Sequence, residues 1–465
     1  MTTVLLVRTL TPDEFGRVAL VYLVAGVTTL LDEGSLATLF VAADERDRSR
    51  LSSVLWQECL LGALLSVSVA ALAYPLAAVF AQPDLPGYLL ALAPLFLVTA
   101  PRRFSQALLL RDLGFRALGV VRIVSAAGFL AVVLVLAKAG LGVWSLVAAL
   151  ITRAFVESVG YTWAARRAFD LRAPSRRTWR TGHGRAGVTK VGERFLAYAV
   201  ERVDVVVVGQ ALGPASLGVY DAFKRLSIGL YQQVIPAVSR LALPHLARLR
   251  AEPLALAEAY ARQLRYICLV LFPAHLFQAA FAPEITVLVF GEAWVGSAGV
   301  FAAVSLLLLV RSTSGPVDAL LMARGWVRRE LIYTVALAGA VVGALLYAIG
   351  EGLYAAVAAV AWANLALVVP VYLWVVRPAG YVGRGAYLRA IGEPLALSAA
   401  AVALAYASTR PLGGDPGGPG DPGGRLAAGA AVTVLAFAAG LLLRYPGLRL
   451  YLAKIARGNS DAEER

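Results

Sequence analysis

Charged side chains occur inside long apolar stretches of this sequence, where a charge is costly unless it faces a helix-bundle interior or a wet cavity. The cationic candidates are Arg122, Arg153, Lys224, Arg225 and Arg311. Acidic residues occur in the same stretches at Glu58, Glu157, Glu201, Asp204 and Asp318. Guanidinium groups bind oxyanions such as phosphate through two parallel hydrogen bonds. The cations therefore predict a cavity for an anionic ligand. Glu157, Asp204 and Asp318 are candidates for gating or for ion coupling.

Several of these residues also have a plain structural interpretation. Arg153 and Glu157 are four residues apart, so they share a helix face and can form an ion pair; a role in substrate binding is the alternative. His275 is predicted to be a buried, hydrogen-bonded imidazole. Cys59 and Cys268 lack ligand spacing and are predicted to be small core residues.

The sequence contains no motif for phosphate-loop or zinc-protease chemistry. Neither GxxxxGK[ST] nor HExxH occurs in it. We therefore predict that the chain is not an enzyme and has no catalytic residue, cofactor or metal site. Any movement of a ligand by this chain would then be driven by an ion gradient or by removal of the ligand after its release.

The elements that carry these charges are predicted to be membrane-spanning helices. Hydrophobic residues make up 59% of the 465 residues, and only 15% are charged. Apolar stretches of about 20 residues follow one another, which is the length that crosses a bilayer as a helix. They do not alternate as the strands of a membrane barrel would. The composition predicts an all-α polytopic membrane protein, and its net charge of +14 is assigned to loops, not to nucleic-acid binding.

Fourteen spans are predicted, the first of them truncated. They cover residues 1–10, 16–42, 51–80, 88–100, 117–137, 143–165, 187–212, 217–241, 266–290, 298–321, 331–349, 353–376, 394–407 and 426–443. Compared with 187–212, the first span lacks about fifteen residues, so either the start at Met1 is late or the helix is short. Pro101 is expected to end the fourth span. The basic residues that follow, Arg102, Arg103 and Arg116, are predicted to set topology and to contact anionic lipid.

Loop charges alternate along these spans. Connections after even-numbered spans are basic, and those after odd-numbered spans carry almost no Lys or Arg. The connection 166–194 contains nine basic residues against Asp170 and Glu193. The positive-inside rule then predicts a multi-pass membrane protein with both termini in the cytoplasm.

The chain repeats itself at nearly half its length. DVVVVGQALGPASLGVY (204–220) echoes VLLVRTLTPDEFGRV (4–18), GLGVWSLV (140–147) is echoed by GEGLYAAV (350–357), and LLLRDLGFR (108–116) by LLMARGWVR (320–328). An even number of spans separates the copies, so the repeats are parallel. The predicted organisation is an N-terminal lobe (1–165), a basic inter-lobe loop (166–194), a C-terminal lobe (187–376), two extra helices (394–443) and a cytoplasmic tail (444–465).

These landmarks carry a resemblance to a known family. LLVRTLTPDEFG, AKAGLGVWSLV and the 204–220 stretch, together with Pro244, AFAPEITVLVFGEAW and MARG, resemble the polysaccharide transporter branch of the multidrug/oligosaccharidyl-lipid/polysaccharide (MOP) exporters. The match covers nearly the whole chain. The resemblance implies two six-helix lobes around a central cavity plus two extra helices. Asp204 matches a family position, which favours a role in packing or gating.

The resemblance also implies a function. It is the movement of a polyprenyl-diphosphate-linked oligosaccharide to the outer leaflet by alternating access, for surface polysaccharide biosynthesis. Membrane lipids and polysaccharide polymerase or assembly proteins are the expected partners, and nucleic acid is not. An ion-coupled small-molecule or multidrug exporter of the same superfamily is the alternative, although the intramembrane cations argue against it. A membrane glycosyltransferase would need a larger outer loop, and a structural scaffold stays open.

Overall fold

The computed structural model describes residues 10–28, 48–167, 198–199, 202–409 and 422–444. The described residues form helices and turns, without a strand. The longer helices are α1 (Pro12–Ala25), α2 (Arg48–Val79), α3 (Leu85–Leu92), α4 (Pro94–Arg111), α5 (Phe115–Lys138), α6 (Val143–Ala165), α7 (Val203–Arg248), α8 (Pro253–Ala280), α9 (Ala282–Phe290), α10 (Ala298–Ser312), α11 (Val317–Arg324), α12 (Val327–Ala348), α13 (Leu353–Val371), α14 (Arg377–Gly380), α15 (Arg384–Thr409) and α16 (Pro422–Arg444).

Ten helical segments of the described chain are long and apolar enough to cross a membrane. The bent pair α8 and α9 brings the number to eleven. The predicted count of fourteen stays a prediction. Several predicted segments lie outside the described residues. They are most of the first two spans, residues 168–194 of the basic loop, residues 445–465 of the tail, and Glu201.

The chain divides into two compact units, Met1–Ala222 (unit 1) and Phe223–Arg465 (unit 2). The division falls within α7, whereas the predicted lobes divide in the basic connection before it. The predicted lobe boundaries therefore stay a prediction.

Helix α1 of unit 1 begins where the sequence places a start signal. Thr11 is the N-cap, and its hydroxyl accepts from the Glu14 amide at 3.3 Å. The Glu14 carboxylate in turn accepts from the Thr11 amide at 2.9 Å, which completes a capping box. Pro12 follows at the first helical position, where its missing N–H costs nothing.

A glycine break divides α7 into two helices. Gly213 has φ 77° and ψ 179°, a conformation that favours glycine, and Pro214 starts the next helix. The break lies at the Leu-Gly-Pro turn predicted from the sequence.

The two echoing stretches pack against each other within unit 1. A methyl group added to Gly16 would overlap the Pro214 carbonyl, and one added to Gly218 would overlap the Pro12 carbonyl. Pro12 and Gly16 of the first copy correspond to Pro214 and Gly218 of the second. The contact is therefore reciprocal, and only hydrogen on each Cα allows the two backbones to approach so closely.

Two of the predicted spans of unit 2 are interrupted. The span 266–290 bends by 82° between α8 and α9, at Phe281, because Pro283 starts a new helix there. The span 298–321 is continuous only to Ser312, and the turn 313–316, which ends in Pro316, separates α10 from α11. The sequence predicts one helix for each of these two spans, and the structure shows two helices in each.

The core of unit 2 is aromatic. Phe223 contacts the rings of Phe290 and Phe301 with centroid distances of 5.0 and 5.2 Å, and Trp294 lies 6.2 Å from it. A second cluster around the fully buried Tyr260 packs α8 against the ends of α13 and α15. These contacts fix the helices that carry Arg311 and Asp318.

Candidate functional site

Glu157 lies at the centre of a charged cluster in unit 1. Arg153 donates to it from one turn earlier on α6 at 2.9 Å, so the i,i+4 ion pair is present. Arg102 of α4 lies 3.6 Å from the same carboxylate, and Ser125 of α5 donates to it at 3.0 Å. The Glu157 side chain is 8% exposed, whereas that of Arg153 is 44% exposed. One carboxylate therefore holds two guanidinium groups, one of which is open to the surface.

Arg122 adds a third cation to this cluster. It is exposed on α5. The Tyr161 hydroxyl interacts electrostatically with Arg122 and also with Arg102, Arg153 and Glu157. Arg122 makes no ion pair or side-chain hydrogen bond within the described part of the chain. It lies seven residues into α5, about 10 Å along the helix axis. The cluster thus has three cations and one anion inside membrane-spanning segments.

The structure places Arg102 and Arg103 differently from the sequence prediction, which put them after the end of the fourth span. Both lie inside α4, which continues through Pro101 instead of ending there. Proline is tolerated within membrane helices because neighbouring groups satisfy the freed carbonyl. Arg103 is completely buried, with its Nε 3.1 Å from Glu58 and a terminal nitrogen donating to Thr99 at 2.9 Å. Neither arginine is a loop residue, and the apolar run FSQALLL after Pro101 was the signal for the longer helix.

Asp204 connects the two helices of α7. Its carboxylate accepts from the Val205 amide at 2.9 Å and from the Tyr220 hydroxyl at 2.6 Å. Both Asp204 and Tyr220 are buried. Since Gly213 lies between them, the hydrogen bond to Tyr220 ties one side of the break to the other.

Arg311 and Asp318 lie on either side of the interruption between α10 and α11. Arg311 is half-buried and interacts electrostatically with Asp318. The charges of Arg311 and Asp318 both act on the Tyr333 hydroxyl of α12. Interrupted membrane helices expose backbone groups that coordinate substrates or ions. The turn 313–316 therefore places a cation and an acid at such an interruption.

The remaining predicted cations, Lys224 and Arg225, lie on α7 in unit 2. Both are half-buried. The five predicted cations are thus divided, with Arg122 and Arg153 brought together in unit 1 and the other three in unit 2.

Sequence reasoning missed a second buried ion pair. Arg425 of α16 lies 2.7 Å from Glu284 of α9, with both side chains about one-tenth exposed. The Arg425 guanidinium also lies over the Tyr406 ring at 5.5 Å. The partners are far apart in sequence, so no local spacing could have indicated this pair.

The described residues contain no group of three or more His, Cys, Asp or Glu side chains placed to hold a metal. His275 is buried, with its Nδ1 3.2 Å from the Gln278 side-chain oxygen. Cys59 and Cys268 are free thiols, half-buried and buried respectively.

Comparison with known proteins places this arrangement in a family. A family profile described as "Polysaccharide biosynthesis protein" matches residues 5–299, more than half of the chain. The chain belongs to this family. The resemblance predicted from the sequence landmarks is confirmed.

Curated relatives of this polysaccharide biosynthesis protein are similar over most of its length. The teichuronic acid biosynthesis protein TuaB of Bacillus subtilis is 24% identical over 81% of this chain and 78% of its own. The succinoglycan biosynthesis transport protein ExoT of Rhizobium meliloti is 24% identical over 63% of this chain, and the match spans 59% of ExoT. The lipopolysaccharide biosynthesis protein WzxC of Escherichia coli is 22% identical over 69% of this chain and 65% of its own.

Solved structures identify the fold of this polysaccharide biosynthesis protein. A structure of the lipid II flippase MurJ in an inward closed conformation matches with a TM-score of 0.73 at 11% identity, covering 96% of this chain and 97% of MurJ. An inward-facing multidrug resistance MATE transporter of the MOP superfamily matches with a TM-score of 0.61 at 14% identity, covering 80% and 92%. The predicted fold class, an all-α polytopic membrane protein of the MOP type, is confirmed.

Proposed function

We propose that this protein moves a polyprenyl-diphosphate-linked oligosaccharide from the cytoplasmic to the outer leaflet, for surface polysaccharide biosynthesis. The observation that carries the proposal is the cluster around Glu157, where Arg102 and Arg153 pair with one carboxylate inside membrane-spanning helices and Arg122 adds its charge beside the same Tyr161. A diphosphate is a bidentate partner for guanidinium groups. Similarity to a succinoglycan biosynthesis transport protein (ExoT), a lipopolysaccharide biosynthesis protein (WzxC) and a lipid II flippase (MurJ) supports this proposal.

The residues have distinct proposed roles. Arg122, Arg153, Lys224, Arg225 and Arg311 are the proposed cationic contacts of the anionic cargo. Glu157 orients Arg102 and Arg153 and releases them when the diphosphate displaces its carboxylate. Asp318 is the candidate coupling acid at the interrupted helix, and Asp204 holds the turn at Gly213 as a gating element.

The proposed mechanism is alternating access of two lobes, 1–165 and 187–376, with the helices of 394–443 outside the repeat. The proposed location is the bacterial cytoplasmic membrane with both termini in the cytoplasm. The chain acts as a transporter and not as an enzyme. Its proposed partners are the lipid-linked oligosaccharide, membrane lipids and the polymerase or assembly proteins that consume the flipped product.

The test is complementation of a flippase-deficient bacterium, read out as surface polysaccharide. We expect the wild-type chain to restore polymer and Arg122→Ala to lower it at least tenfold, because a charge-assisted hydrogen bond contributes about 1.5–3 kcal/mol. Arg122→Lys should retain part of the activity.

The matched control is Arg116→Ala. Arg116 is an exposed arginine of the same helix α5, about 1.7 turns before Arg122. Equal activity of the Arg122→Ala and Arg116→Ala variants would remove Arg122 from the binding site. Drug resistance conferred by the wild-type chain without restored polymer would favour the alternative, an ion-coupled small-molecule exporter.

A further inference from the structure

The surface of unit 2 carries an apolar pocket of about 300 Å³ that the flipping cycle does not require. It lies between the end of α13 and the first turn of α15. Val369, Leu373 and Leu388 form its open side and are 62%, 45% and 66% exposed. These residues belong to segments apolar and long enough to span a membrane, so the pocket opens toward hydrocarbon.

The closed side of the pocket is preformed. A π-helical turn, Tyr372–Val376, follows Pro370 and widens the end of α13. The Tyr372 hydroxyl donates to the Val382 carbonyl at 3.0 Å, and its ring packs on that of Tyr387 at a centroid distance of 4.6 Å. Both tyrosines are buried, so the slot beside them does not depend on mobile side chains.

Arg384 is the charged residue that lines the pocket. It is exposed at the start of α15 and forms no ion pair or side-chain hydrogen bond with the described residues. The segment 377–389 contains three arginines and no acidic residue. A guanidinium group beside an apolar slot complements a molecule with one anionic group and one hydrocarbon chain.

Aromatic and cationic side chains mark the depth of this pocket in the membrane. The Arg329 guanidinium lies 4.1 Å from the Trp326 ring and 6.0 Å from the Trp374 ring. The Arg324 guanidinium lies 5.3 Å from the ring of Tyr381, which is 48% exposed. Trp, Tyr and Arg collect where hydrocarbon meets lipid headgroups. The basic segment therefore places the pocket at headgroup level, on the side predicted to be cytoplasmic.

We propose that this pocket binds one anionic phospholipid of the cytoplasmic leaflet, with an acyl chain in the slot and the phosphate on Arg384. Charge complementarity and the volume favour this occupant, because about 300 Å³ is the lower end of ligand pockets and suits a single chain segment. The site binds a resident lipid, and none of the proposed cargo cations lines the pocket. It does not depend on the proposed transport function.

The experiment measures lipid retained by the purified full-length protein. The protein is exchanged into detergent with equal amounts of phosphatidylglycerol and phosphatidylcholine, and bound lipid is counted by native mass spectrometry. We expect wild type to prefer phosphatidylglycerol and Arg384→Gln to lose about fivefold of that preference, since one arginine near the surface contributes about 1 kcal/mol toward an anionic lipid. Arg384→Lys should keep most of it.

The matched control is Arg389→Gln. Arg389 lies on the same helix and in the same basic segment, but it donates to the Gly385 carbonyl at 3.1 Å and does not line the pocket. A second variant, Val369→Trp, fills the slot and should lower retention of both phospholipids.

Two results would overturn the proposal. One is an equal loss of phosphatidylglycerol in Arg384→Gln and Arg389→Gln. The other is displacement of phosphatidylglycerol by a polyprenyl diphosphate whose own binding is lost in Arg384→Gln, which would assign the pocket to the cargo. Because retention is measured without transport, failure here and failure of the complementation assay are distinguishable.

Discussion

At the scale of single residues, the strongest constraint is the ion pair between Arg103 and Glu58. Neither side chain is exposed at all, and the two helices that carry them, α2 and α4, pack on each other. Such a pair adds little compared with a well-packed apolar pair, but removing one partner leaves a charge without compensation in a medium of low dielectric.

We predict that Glu58→Gln destabilises the folded protein by about 3–5 kcal/mol. The measurement is thermal or denaturant unfolding of the protein in detergent. The double variant Glu58→Gln with Arg103→Leu should recover much of the loss, because no unpaired charge remains. Arg111→Ala, which removes a partly exposed pair with Asp112, should change stability by no more than about 1 kcal/mol. A Glu58→Gln protein as stable as Arg111→Ala would contradict this prediction.

The backbone conformation of Leu113 predicts a substitution that raises the stability of the protein. It has φ 53°, in the left-handed region that leucine rarely adopts, and its side chain is 70% exposed. Its counterpart in the second repeat copy is Gly325, with φ 69°. Leu113→Gly should therefore stabilise the protein by about 1 kcal/mol, since the left-handed conformation costs a non-glycine residue about 1–2 kcal/mol.

The control for Leu113→Gly is Leu110→Gly, an exposed leucine in the last turn of α4. There glycine should destabilise by about 1 kcal/mol, because the position is helical. Both variants are compared by their unfolding midpoints in detergent. A loss of stability in Leu113→Gly as large as that in Leu110→Gly would refute the strain at Leu113.

At the scale of elements, the reciprocal contact of α1 with the second half of α7 is the closest helix approach that the glycines of unit 1 permit. We predict that Gly16→Ala and Gly218→Ala each destabilise the protein by about 1–3 kcal/mol through overpacking. Gly119→Ala on α5 is the control, because a methyl group there would contact nothing within 4 Å. The measurement is again the unfolding midpoint. If the Gly16→Ala and Gly119→Ala proteins unfolded at the same midpoint, the contact at Gly16 would be looser than described.

The breaks in the helices separate what local sequence predicts from what it does not. Gly213 could be predicted because glycine and proline adjoin in a hairpin signal. The prediction that the helix ends at Pro101 was wrong, since a membrane helix can continue through a proline. At the bend near Phe281, Pro283 starts the second helix, and Glu284 in its first turn pairs with Arg425 of a distant helix. Composition and a Gly-Pro signal thus predict the class of element and one of its breaks, whereas a single proline continues the helix at Pro101 and starts a new one at Pro283.

At the scale of the whole molecule, the fold class followed from apolar length and from the repeat, since both are properties of the chain that survive errors at helix ends. The candidate site was predicted less well. Arg153 and Glu157 share a face by spacing alone, but Arg102 joins them only because α4 continues past Pro101. The assignment of Arg102 to a loop was an error of helix length, and it removed one cation from the predicted site.

Loop charge makes a prediction about orientation. A fluorescent protein fused after Arg465 should be bright, and alkaline phosphatase at the same place should be inactive, because the tail is predicted to be cytoplasmic. The same enzyme inserted after Glu351, in the turn between α12 and α13, should be active, because that turn is predicted to lie outside. Activity at the C-terminus together with inactivity at Glu351 would invert the topology.

The reciprocal glycine contact also has a consequence for ancestry. In a symmetric homodimer, an isologous interface pairs residue i of one subunit with residue j of the other, and j with i. The pairs Gly16 with Pro214 and Gly218 with Pro12 have this form, although they now belong to one chain. A half-length ancestor with a single proline–glycine hairpin could have dimerised through the same contact. Gene fusion would then have freed the two copies to diverge, so that one came to carry leucine and the other glycine at the same left-handed position.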